Sequence, residues 1–92
     1  MSTAPLVLVA DDEVRITKLV AIALREDGFR VITAGGGHEA LRKAEEALPD
    51  IVLLDIVMPD LDGIEVMRRL RERTPVPVIL LTAKGSTADK AK

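Results

Sequence analysis

"IVLLDIVMPDLDG", residues 51–63, decides how the rest of the chain is read. Ile51 to Leu54 form a continuous apolar run, which suits a strand buried on both faces. The run ends in a carboxylate, Asp55, and Met58-Pro59 and Asp62-Gly63 follow as sharp-turn residues. Asp62 suits the N-cap of a helix striped by Ile64, Met67 and Leu70. The stretch therefore reads as strand, acidic end, tight turn, helix.

The same grammar extends in both directions. Leu6 to Ala10 is a second apolar run, and Asp11-Asp12 end it. Ile16, Leu19, Val20, Ala23 and Leu24 follow at helical spacing, with Gly28 placed to close that helix. Phe29 to Thr33 is expected to be a strand, and Gly35-Gly36-Gly37 a flexible turn after it. Leu41, Ala44 and Leu48 stripe another helix, stopped by Pro49. Val76 to Leu81 reads as a further strand, entered through Pro75 and Pro77, and "STADKAK" (residues 86–92) as the start of a final helix. Strands and helices alternate throughout, which predicts an α/β fold: a doubly wound parallel sheet with helices on both faces. In such a sheet the carboxyl ends of the strands share one edge, and ligands bind there.

Composition narrows the function. The chain has 92 residues, enough for a single small domain. It is 48% hydrophobic and 30% charged, with a net charge of −2. Bulk electrostatics thus favour neither nucleic acid nor an anionic membrane. No apolar stretch is long enough to span a bilayer. No cysteine is present, which removes disulfides and thiolate metal sites. Phe29 is the only aromatic residue, too little for a base-stacking platform. A cytoplasmic location is the expectation.

Asp11, Asp12 and Asp55 are expected to meet at the carboxyl edge if the first and third strands are neighbours. Taken singly, each is an ordinary strand-end or capping aspartate. Together they form three like charges that repel unless a cation lies among them, and hard oxygen donors favour Mg²⁺. Thr82 would close the fourth strand at the same edge, where its hydroxyl could donate to an anionic group on Asp55.

With these residues placed, the chain resembles the receiver domain of bacterial two-component response regulators. The resemblance lies in "VLVADDE" (residues 7–13), "LLDIVMPDLDG" (residues 53–63) and "VILLTAK" (residues 78–84), and runs from about Pro5 to the last residue. It implies a flavodoxin-like sheet with strand order 2-1-3-4, occupying residues 1–92 as one domain. It implies that Asp55 accepts a phosphoryl group from a sensor histidine kinase and that the domain is not itself an enzyme. Mg²⁺ would be held by Asp11, Asp12, Asp55 and the backbone carbonyl of Val57, with Thr82 and Ala83 as the phosphate-binding switch element. Met58, Pro59, Asp62 and Gly63 would shape the turn.

The family pattern continues with a fifth strand ending in Lys-Pro and a fifth helix, neither of which is found before Lys92. The sequence is thus expected to be a truncated receiver without the catalytic lysine; Lys84, Lys90 and Lys92 do not match its place. An uncovered fourth-strand edge would then favour a homo-oligomer, most simply a two-fold dimer. Two rivals remain. One is a receiver-like module that no longer switches and only binds partners. The other is a piece of a dinucleotide-binding enzyme, since Gly35 to Ala40 satisfies G-x-G-x-x-A and Asp55 lies 20 residues after Gly35. His38 and the Arg68–Arg73 run are expected to be solvated surface.

Overall fold

The computed structural model describes residues 4–81. Seven elements alternate along the chain: β1 (Leu6–Ala10), α1 (Val14–Glu26), β2 (Arg30–Ala34), α2 (Gly37–Ala47), β3 (Ile51–Asp55), α3 (Gly63–Arg71) and β4 (Val78–Leu81). The strands form one parallel sheet in the order β2-β1-β3-β4. The expected α/β architecture and order 2-1-3-4 are therefore present. The expected fourth helix, Thr82 and Ala83 lie outside the described residues, as does whatever borders β4 beyond Leu81.

Alternation along the strands divides the core into two layers. Leu8, Ala10, Val52 and Leu54 pack with Ala40, Leu41 and Ala44 of α2 and Val66 and Leu70 of α3. Val7, Val9 and Val31 pack on the opposite face with Ala21 of α1. Burial on both faces of β1 and β3 explains their unbroken apolar runs, because a strand covered on both sides has no solvent side on which to place polar residues.

Local signals set most boundaries. Gly28 takes φ +96°, and its N–H donates to Arg25 O while the Phe29 N–H donates to Leu24 O. This pair of bonds is a Schellman closure of α1. It commits the Phe29 N–H to the helix, so β2 begins at Arg30 rather than at Phe29. Likewise β4 begins at Val78 rather than Val76, with the Pro77 carbonyl accepting from Val52 N at 3.0 Å. Pro77 lacks the N–H that a laddered strand residue supplies.

The buried face of α1 differs from the expected stripe. Thr17 and Ala21 are its buried residues, and Leu19 is 65% exposed. Small side chains let the helix approach β1 and β2 closely, and the Thr17 hydroxyl is satisfied by donating to Val14 O at 2.9 Å. Counting apolar residues favoured the larger Leu19, but close packing of helix on sheet selected the smaller neighbours.

Candidate functional site: an acidic cluster at the carboxyl edge

Because β1 and β3 are direct neighbours, their ends lie side by side, with Ala10 opposite Leu54. Asp11 and Asp12 directly follow β1, and Asp55 is the last residue of β3. One carboxylate oxygen from each of these residues lies within 4.8 Å of the others. Asp11 is 4% exposed and Asp55 2%, while Asp12 faces solvent. Two of the carboxylates thus sit in the protein wall and the third closes the site from outside.

Backbone contacts aim these groups. The Asp11 N–H donates to Ala34 O at 3.1 Å, extending the β1–β2 ladder past the strand end. Asp11 Oδ1 accepts the Glu13 N–H at 2.9 Å, which fixes its carboxylate at the start of α1. Beyond Asp55, Ile56 N donates to Leu81 O and the Ile56 carbonyl accepts Gly63 N at 2.7 Å. The chain then turns so tightly that a Cβ on Gly63 would fall on the Asp55 carbonyl oxygen. Asp62 caps α3 as expected, its side chain accepting Glu65 N at 2.9 Å.

The remaining turn residues separate by role. Met58 is 5% exposed and belongs to the core, whereas Val57 and Pro59 face solvent. Met58 therefore anchors the loop to the interior while its neighbours stand at the surface. Sequence reasoning missed Asp60, whose Oδ1 and Oδ2 accept the N–H groups of Gly37 and His38 at 2.9 and 3.1 Å. A signal existed: α2 opens on a glycine N-cap that has no side chain to satisfy those donors. The glycine triplet is consequently not a loose turn. Gly37 begins α2, and Gly36 and Gly37 are buried beneath the loop. Asp60 stands at the helix N-terminus where a dinucleotide's pyrophosphate would need to lie, which sets that reading aside.

The donor set fits a small hard cation. All three side chains offer oxygen, and oxygens bound to Mg²⁺ at about 2.1 Å stand about 3–4 Å apart. Small carboxylate rotations bridge the difference from the observed spread of 4.8 Å.

The model for the response regulator receiver domain matches residues 7–92. The chain belongs to the response regulator receiver family. It is 47% identical over 85 residues to the alkaline phosphatase synthesis transcriptional regulatory protein PhoP of Bacillus subtilis, covering 91% of this chain and 35% of that protein. It is 44% identical over 86 residues to the transcriptional regulatory protein ResD of the same organism, covering 94% of this chain and 36% of ResD. This receiver chain thus spans about a third of the length of the curated relatives it matches. Among solved structures, the receiver domain of Francisella response regulator 1452 superposes with a TM-score of 0.83 at 38% identity, covering 95% of this chain and 73% of that one. TrrA of Thermotoga maritima, solved in complex with Mg²⁺-BeF, superposes with a TM-score of 0.82 at 38% identity, covering 92% and 76%. Among the described residues of this receiver, no helix is long and apolar enough to cross a membrane.

Proposed function

We propose that this receiver is a phosphoacceptor, with Asp55 as the residue modified. The observation that carries the reading is the convergence of Asp11, Asp12 and Asp55 within 4.8 Å at the carboxyl edge of the sheet. The Asp55 carboxylate is the nucleophile: one of its oxygens attacks the phosphorus of a phosphorylated histidine on a sensor kinase. The oxygen–phosphorus bond forms as the imidazole nitrogen–phosphorus bond breaks, and the nitrogen keeps the electron pair. Asp11, Asp12, Asp55 and the Val57 carbonyl would hold Mg²⁺. That ion, when bound, offsets the charge of the carboxylates and of the phosphoryl oxygens.

The chain's own residues supply the orientation. Glu13 N–H fixes Asp11, the sheet fixes Asp55, and Met58 roots the loop that carries Val57. Thr82 and Ala83 are assigned to phosphate binding on the family resemblance. The product is an acyl phosphate, which water hydrolyses, so the modification is a timed signal rather than a turnover reaction. A kinase donor places this signalling in the cytoplasm.

The test is phosphoryl uptake from acetyl phosphate with Mg²⁺, read by intact mass and by ³¹P NMR, with Asp55→Asn alongside. The expected result is one acyl phosphate in the parent and none in the variant. A folded parent that takes up no phosphoryl group overturns the reading and leaves a binding module that does not switch.

A further inference from the structure

The hydrogen bonds from Gly37 and His38 to Asp60 tie together two elements more than twenty residues apart in sequence. Helix α2 depends on this tie, because its N-cap, Gly36, makes no side-chain capping bond. The glycines are shaped to receive the loop. A Cβ on Gly36 would come within 3.0 Å of both Asp60 carboxylate oxygens, and the nearest atoms to it all belong to Asp60. A Cβ on Gly37 would meet the Leu61 carbonyl oxygen at 2.5 Å and Val66 Cγ2 at 2.9 Å. Hydrogen bonds from Gly37 and then His38 hold the Asp60 carboxyl below its ordinary range. The segment between Asp55 and Gly63 is therefore fixed at both ends by Ile56, in its middle by Met58, and toward α2 by Asp60.

We propose that Asp60 is a positioning residue for the cation site. By capping α2 from the β3–α3 loop, it holds the backbone carrying the Val57 carbonyl beside Asp55, so that Mg²⁺ meets a formed site. This rests on reading the acidic cluster as a Mg²⁺ site. Without the tie, the loop samples other positions, and affinity falls by the fraction of time spent in the binding arrangement. The tie also makes the α2 N-terminus mechanically continuous with the phosphoacceptor loop.

The test compares the parent, Asp60→Ala and the double variant Gly36→Asp/Asp60→Ala. Gly36 has extended backbone (φ −171°, ψ 178°), so an aspartate there can cap α2 locally. The double variant keeps the net charge and the helix cap but removes the tie to the loop. Mg²⁺ affinity is read by calorimetry, since the chain has no Trp or Tyr to report by fluorescence. Thermal midpoint and amide hydrogen exchange are read alongside.

Asp60→Ala is expected to weaken Mg²⁺ binding about three- to tenfold and to speed exchange at the hydrogen-bonded amides that hold the loop ends, Ile56 and Gly63. The double variant is expected to recover thermal stability while its Mg²⁺ affinity stays weak. The proposal is overturned if Asp60→Ala binds Mg²⁺ within about twofold of the parent, or if the double variant recovers affinity together with stability. Should the parent itself bind no Mg²⁺, the cluster reading fails, and exchange at Ile56 and Gly63 decides the tie alone. Faster exchange in both variants sustains it, and unchanged exchange refutes it.

Discussion

Replacing Gly63 by alanine tests whether the turn after Asp55 is as tight as the structure has it. The added Cβ would fall on the Asp55 carbonyl oxygen and lie 3.0 Å from the Asp55 carbonyl carbon and 2.9 Å from Ile56 Cα. All of these are backbone atoms, so no side chain can rotate away to make room. The strand end or the first turn of α3 has to shift instead. Overpacking of this kind costs about 1–3 kcal/mol, and the lack of any rotamer escape puts Gly63 near the top of that range. Alanine recovers about 0.4–1 kcal/mol by restricting the unfolded chain, leaving a net loss of about 2 kcal/mol. For a domain of this size that corresponds to a fall of roughly 8–16 °C in the melting midpoint.

Gly35→Ala is the matched control. Its Cβ would meet only Glu39 Oε1, at an ordinary 3.6 Å, so the unfolded-state term acts almost alone. Circular-dichroism melts of the two variants should therefore flank the parent, Gly35→Ala at or slightly above it and Gly63→Ala well below. A Gly63→Ala midpoint equal to that of the parent would refute the close approach. So would two variants that shift together, because the structure assigns the two glycines different surroundings. The displaced Asp55 backbone should also slow phosphoryl uptake in whatever fraction of Gly63→Ala remains folded.

Two further outcomes follow from the charges. Asp12→Asn removes the solvent-side member of a cluster spread over 4.8 Å, relieving about 1 kcal/mol of repulsion from each of the other two carboxylates even at the dielectric of water. Its melting midpoint without Mg²⁺ should rise while the stabilisation by added Mg²⁺ shrinks; a parent whose midpoint ignores millimolar Mg²⁺ would contradict this. Glu65 is held at a pKa of about 2, from a usual 4.5, first by its hydrogen bond from Arg68 and then by that from Arg69. Lowering the folded-state pKa means that its contribution to stability is complete above pH 4.5 and fades as pH falls from 4.5 toward about 2. An NMR titration of the Glu65 carboxyl should find its midpoint well below 4.5 and moving up in Arg68→Ala; an ordinary midpoint would refute the pairing.

Much of the fold is legible locally because each element carries its own signal. The short unbroken apolar runs at Leu6–Ala10 and Ile51–Leu54, each ended by an acidic residue, read as strands covered on both faces, and alternation with helical stripes then leaves few topologies. Gly28, Asp62 and the two prolines before β4 act within a few residues of themselves, and their roles as read from sequence hold to within a residue or two. Asp11, Asp12 and Asp55 are visible as strand-end acids. The family pattern supplied the adjacency of β1 and β3 that makes them one site.

What the chain alone left undecided are contacts between residues distant in sequence. No periodicity distinguishes Leu19 from Thr17 as the inward residue of α1, because the choice depends on how closely the helix settles on β1 and β2. No local rule says that the Gly36-Gly37 step lies under Asp60 and Leu61, so a packed junction read as a flexible turn. A carboxylate 23 residues away can cap α2 only once the sheet has brought the β3–α3 loop beside it. Residue types and strand order determined which groups reach the carboxyl edge. Three-dimensional packing determined which of them bear on one another, since close approach is a property of two surfaces and not of either segment alone.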